Sequence, residues 1–214
     1  MSPTPLPDDL LAGYRRFRAE RYPLEAERYS RLSAEGQAPH TMVVACSDSR
    51  SGPETVFDAG PGELFVVRNV AALVPVYAPD ARSHAASAAL EYAVHALKVS
   101  TVLVLGHGRC GGVQAAFNEA VPLTATDFIG AWVGGLRDLE ALLAPEEAAD
   151  PGQRRTRLEQ LTVEQSLVNL RTFPWVRARE AAGALSLRGA WFDIALGELQ
   201  AFGERGWERV DGGA

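Results

Sequence analysis

Apolar residues fall in short runs along this chain, and their spacing sets the first expectations. Thr41-Met-Val-Val-Ala45 and Thr101-Val-Leu-Val-Leu105 are near-continuous aliphatic stretches, and Glu63-Leu-Phe-Val-Val67 follows the turn signal Gly60-Pro-Gly62. Runs of this length and β-branched content read as strands buried on both faces, as in a parallel sheet covered by helices. Between the second and third runs, residues 83–97 place Ala86, Leu90, Ala93, Val94 and Leu97 on one helical face. A helix is expected over 111–120, and the pattern is helical again over 126–143 and 154–179, with polar residues 146–155 as a loop between them. Leu185-Ser-Leu-Arg-Gly-Ala-Trp-Phe reads as a late strand, while residues 194–210 are assigned no element. Strands alternating with helices predict an α/β fold: a parallel β-sheet core flanked by helices.

Residues 9–35 differ from the rest. Leu11, Tyr14, Phe17, Tyr22, Leu24, Tyr29 and Leu32 are scattered among charged residues in a helical pattern, and Pro23 is expected to break it in two. The chain is therefore read as an N-terminal helical arm, residues 1–36, and a single α/β domain, residues 37–214. The arm is expected to pack on something else, such as a second subunit.

Composition narrows the function classes. The 214 residues suffice for one well-buried domain, and 47% hydrophobic with 22% charged content is ordinary for a globular protein. The apolar runs are too short to cross a membrane. The first nine residues lack the basic and apolar regions of a secretory signal, so a cytoplasmic location is expected. A net charge of −6 and a pI near 5.3 argue against a nucleic-acid partner. In a reducing compartment the two cysteines are not expected to form a structural disulfide.

Those two cysteines carry the chemistry. Cys46-Ser-Asp48-Ser-Arg50 follows the first run, and His107-Gly-Arg-Cys110-Gly-Gly follows the third. A free cysteine is often only a small buried hydrophobe. Here both fall at strand carboxyl ends, which share one edge of a parallel sheet and build the sites of α/β proteins. Cys46, His107 and Cys110 together offer three ligands of the kind zinc prefers, and three protein ligands with an open fourth position mark catalytic zinc. Asp48 and Arg50 could be a surface ion pair of little energetic value. Beside a metal, Arg50 can instead grip the Asp48 carboxylate with two hydrogen bonds, holding it to accept from a zinc-bound water or to serve as a fourth ligand. Gly111 and Gly112 open a helix, where free N–H groups favour an anion such as bicarbonate. His40, His84 and His95 lie outside these motifs and are assigned no role as ligands.

Cys-x-Asp-x-Arg and His-x-x-Cys resemble the zinc signature of the β-class carbonic anhydrases. Pro61-Gly-Glu-Leu-Phe-Val-Val-Arg-Asn-Val-Ala, Leu90-Glu-Tyr-Ala-Val, Ser166-Leu-Val-Asn-Leu and Leu187-Arg-Gly-Ala-Trp-Phe-Asp extend the likeness over residues 37–192. The resemblance implies one Zn²⁺ per chain on Cys46, His107 and Cys110, with Asp48 and Arg50 as a catalytic dyad. It implies reversible hydration of carbon dioxide to bicarbonate through a zinc-bound hydroxide, with Asp48 competing for the fourth position. Gln37 matches a glutamine that reaches a substrate pocket, often the partner subunit's. The implied fold is a four-stranded parallel core with an arm that embraces a second copy, in a homodimer or higher assembly. Some members are regulated by bicarbonate in a pocket walled by a Trp three residues before the first Cys. That position is Val43 here, although Arg68 matches an arginine of the same pocket. Two rivals stay open at this point: hydration of carbon disulfide on the same scaffold, and a non-catalytic zinc module.

Overall fold

The computed structural model describes residues 6–80, 82–117 and 122–210. The chain forms two compact units, Met1–Ala38 and Pro39–Ala214.

In the first unit, α1 (Asp8–Arg16) runs through a π-helical turn, Phe17–Arg21, into α2 (Tyr22–Glu35). The expected break at Pro23 does not occur. Pro23 lies in the first turn of α2, where a missing N–H costs little, and the π turn carries the chain into it. Phe17 meets Tyr22 and Tyr29 edge-on, with ring centroids 5.9 and 6.1 Å apart, which clips the helical pieces together.

The second unit is built on a six-stranded sheet in the order β2-β1-β3-β4-β5-β6. The strands are β1 (Thr41–Cys46), β2 (Leu64–Asn69), β3 (Thr101–His107), β4 (Ser186–Asp193), β5 (Glu198–Gly203) and β6 (Gly206–Arg209). The first four are mutually parallel, and β5 and β6 add antiparallel at one edge. The parallel core is as expected. The unassigned stretch 194–210 is an edge hairpin whose strands are half exposed, so burial imposes little alternation on it. Asp193 Oδ1 closes the β4–β5 turn by accepting from the N–H groups of Ala195 and Leu196.

Side chains of β1 alternate between two layers. Met42 and Val44 join Val102 and Val104 in the main core, while Val43 and Ala45 join Leu105 and Ala190 in a smaller one covered by Phe57 and Phe192. The helices that follow the sheet strands are α3 (Pro53–Val56), α4 (Ala85–Glu91, continuing as a π turn through Ala96), α5 (Gly111–Phe117) and α6 (Phe128–Val133, continuing as 3₁₀ through Leu142). The expected end of the α5 segment, residues 118–120, lies outside the described residues. The expected loop 146–155 is instead helical. It holds α7 (Pro145–Ala149) and the start of α8 (Pro151–Leu170). Each begins with Pro in its first turn, and Asp150 caps α8 by accepting from Gln153 N at 2.7 Å. The polar composition that suggested a loop is that of helix starts. The helical pattern 154–179 is interrupted after Leu170, because Pro174 opens a separate helix, α9 (Pro174–Ala181). No helix is long and apolar enough to cross a membrane among the described residues.

Candidate metal centre

β1 and β3 are neighbours in register, with Ala45 opposite Leu105. Each strand is longer than its apolar run, so Cys46 is the last residue of β1 and His107 the last of β3. Both side chains are thereby delivered to one sheet edge. Past His107 the chain turns through Arg109, whose φ of +58° is uncommon for a non-glycine residue, and brings Cys110 inward. The Cys46 and Cys110 sulfurs are 3.8 Å apart, and a His107 ring nitrogen lies within 4.8 Å of both. All three residues are at most 5% exposed. Among the described residues this is the one such cluster of histidine, cysteine and carboxylate atoms.

The donor set fits a metal ion. His107 Nδ1 is 3.0 Å from the Gly108 carbonyl, which makes Nδ1–H the donor and leaves the lone pair on Nε2. Nε2 is buried without a hydrogen-bond partner. Buried polar atoms are rarely orphaned, and this one faces two free thiols. Backbone groups of Asp48 and Ala71 hydrogen-bond the Cys46 sulfur, and those of Gly112 and Val113 the Cys110 sulfur, which favours thiolates. Hydrogen bonding to Cys110 pushes the Cys46 thiol down against burial. The same bond and burial push Cys110 up. A cation between the sulfurs would replace that shared proton. Burial opposes charge on the His107 ring, but the neighbouring Cys46 sulfur, the Gly108 carbonyl and the Asp48 carboxylate raise its pKa overall. Ala71, Ala72 and Val113 close a cavity of about 10 Å³ over the three residues, room for one water-sized sphere.

Asp48 stands at the rim, with Oδ2 4.0 Å from His107 Nε2. Arg50 grips it bidentately, Nε to Oδ1 at 2.9 Å and Nη2 to Oδ2 at 2.7 Å, and its backbone N–H adds a third bond to Oδ1 at 3.0 Å. The Arg50 guanidinium holds the Asp48 carboxyl well below the usual carboxylate range. Arg50 is half exposed, so the pair contributes little stability; its effect is orientation.

The other expected site residues divide. Gly111 is exposed, with open space where a Cβ would stand. Gly112 is a packing position, because a Cβ there would collide with Val70 and come within 3.0 Å of the Ala71 amide nitrogen. Gln37 is exposed and belongs to the N-terminal unit. His84 pairs with Asp80 at 2.6 Å, and His95 meets Trp175 edge-on.

Two further residues support the centre. Arg68, on β2, donates to the carbonyl oxygens of Cys46 at 2.8 Å and Asp48 at 2.5 Å, pinning the first half-site. Glu159, on α8, is 2% exposed and accepts from Cys110 N at 3.0 Å and Trp191 Nε1 at 3.1 Å. Burial pushes its carboxyl up, and the two donors counteract that. Sequence reasoning missed Glu159. A signal existed, since Glu159 shares a helical stripe with Val163, Ser166 and Leu170, all buried.

Comparison with known proteins agrees with this geometry. The family described as carbonic anhydrase matches residues 41–199. A carbonic anhydrase of Pseudomonas aeruginosa is 37% identical over 196 residues, covering 90% of this chain and 86% of that protein. The chloroplastic β carbonic anhydrase 5 of Arabidopsis thaliana is 35% identical over 188 residues; the match covers 87% of this chain and 62% of the plant protein. Among solved structures, the β-carbonic anhydrase CcaA superposes with a TM-score of 0.81 at 28% identity, covering 95% of this chain and 98% of that one. A tetrameric β-carbonic anhydrase of Sordaria macrospora gives 0.79 at 29% identity, over 92% and 96%.

Proposed function

The chain belongs to the carbonic anhydrase family, in its β class, and from that premise we propose how its own residues divide the zinc-dependent, reversible hydration of carbon dioxide to bicarbonate and a proton. The observation that carries the reading is the buried Cys46–His107–Cys110 triad with an Arg-held carboxylate at its rim. Cys46, His107 and Cys110 hold the zinc ion, which when bound supplies a Lewis acid that acidifies water toward neutral pH. Asp48 accepts the hydrogen bond of the attacking water and so aims its free lone pair at the carbon of CO₂. Arg50 keeps Asp48 ionised and aimed, since a carboxylate with three donors on it resists both protonation and rotation. Asp48 falls outside the group of three residues whose ligand atoms lie within 4.8 Å of one another, which supports this accepting role over that of a fourth ligand. One C–O bond forms, and the proton lost by water leaves to buffer at the exposed Arg50 side of the site. The open position at Gly111 suits an oxygen of the bicarbonate, with Gly112 letting α5 approach closely enough.

Val43 is fully buried among aliphatic residues, and Arg68 is occupied with the Cys46–Asp48 backbone. This favours a constantly active site over one regulated by distant bicarbonate. We further propose a homodimer or higher assembly in which Gln37 serves the partner's pocket. Exposed Leu10, Tyr14 and Leu24 on the arm support an intersubunit role for it. The unbridged thiols fit a reducing compartment such as the cytoplasm. The test is zinc content together with stopped-flow CO₂ hydration of the purified protein, with carbon disulfide as the competing substrate. One zinc per chain and fast CO₂ hydration are expected. Zinc without CO₂ hydration overturns the reading.

A further inference from the structure

Outside the ligands and the Asp48–Arg50 pair, Glu159 is the one acidic side chain among the described residues that is almost fully buried. A carboxylate is costly to bury unless its oxygens are satisfied. Both are, one by the loop that carries Cys110 and the other by strand β4. Oε1 accepts the amide N–H of Cys110, and Oε2 accepts the indole N–H of Trp191. The indole packs against the start of the His107–Cys110 loop, close enough that a Cβ on Gly108 would stand 3.1 Å from Trp191 Cζ2. Gly108 N–H is in turn held by the Phe192 carbonyl at 2.8 Å. The loop from His107 to Cys110 therefore rests on Trp191 at one end and hangs from Glu159 at the other, with the left-handed Arg109 between them.

Building on the metal-centre reading above, we infer that Glu159 is a positioning residue that fixes Cys110 at the distance from Cys46 and His107 that a metal ion needs. An alternative acceptor of the same shape cannot do this. A glutamine has one carbonyl oxygen for two N–H donors, and its NH₂ would face one of them. The Cys110 N–H then meets either the NH₂ or an uncharged oxygen for which Trp191 competes, so its charge-assisted bond is lost and the strained turn at Arg109 is free to relax. The expected consequence is a looser ligand rather than a missing one. Loss of an outer partner of this kind costs about 10–100-fold in metal retention.

The experiment compares full-length wild type, Glu159→Gln and Trp191→Phe. The zinc-loaded proteins are mixed with excess chromophoric chelator, and the release rate is read. The cobalt(II)-substituted proteins give the thiolate charge-transfer and ligand-field spectra. Glu159→Gln is expected to unfold with wild-type cooperativity, to release zinc about 10–100-fold faster, and to shift the cobalt bands. Trp191→Phe keeps the Cys110 bond and is expected to accelerate release less than Glu159→Gln. Wild-type release and unshifted bands in Glu159→Gln would overturn the inference, and so would a Trp191→Phe effect equal to or larger than that of Glu159→Gln. If Glu159→Gln does not fold, Glu159→Asp takes its place, since its shorter side chain cannot reach the Cys110 and Trp191 donors together, and wild-type release from that variant overturns the inference. Failure of the wild type to bind zinc at all would instead remove the metal centre, a distinguishable outcome.

Discussion

Arg50 reaches across 59 residues of sequence to donate to the backbone carbonyl of Arg109 at 3.3 Å, from the same Nη2 that holds Asp48. One guanidinium thus ties the Cys46 half-site to the His107–Cys110 half-site. A fork of donors in fixed geometry can do this, and a point charge cannot.

Arg50→Lys is therefore expected to retain zinc but to lower kcat/KM for CO₂ hydration by about tenfold or more, a loss of about 1.4 kcal/mol in transition-state stabilisation. Stopped-flow rates with parallel metal analysis check this. Unchanged kinetics would show that Asp48 needs no bidentate partner.

Asp48→Ala should keep one zinc per chain and lose activity by about 100-fold or more, in line with removal of a positioned proton acceptor. Near wild-type turnover would take Asp48 out of the mechanism.

Cys46→Ala and Cys110→Ala should each lose zinc after dialysis against a weak chelator, because two ligands from this set no longer hold the ion against competition. Full metal content in either variant would sink the ligand assignment.

Zinc retention should fall as pH falls. Both sulfurs bind metal as thiolates and His107 as a neutral ring, so protons compete with the ion and affinity rises with pH. An ion that binds only the folded chain also stabilises it. The thermal midpoint of the zinc-loaded protein should thus drop toward that of chelator-treated protein on acidification. Equal midpoints with and without chelator at neutral pH would contradict this.

Gly112→Ala should destabilise the fold by about 1–3 kcal/mol, because the added methyl must displace the Val70 side chain and the buried Ala71 backbone. Urea unfolding measures it. An unchanged midpoint would mean that the Val70–Ala72 turn yields freely.

Residue order alone determined much of this protein. The buried strands β1 and β3 were legible because burial on both faces leaves a continuous apolar run. The ligand triad was legible because thiol and imidazole at strand ends have few uses in company. Other features depended on neighbours far away in sequence. Residues 146–155 read as loop because helix N-termini share the composition of loops, and only capping and packing distinguish them. Pro23 read as a break because its effect depends on its position within a helix, which the π turn before it sets. Arg68 could be named but not placed, and Glu159 was missed. Their roles arise from backbone groups 20 and 49 residues away, which the fold brings within hydrogen-bond reach. A side chain's identity states what it can bond. Only the tertiary structure, by burying it beside one set of donors, decides which bonds it makes.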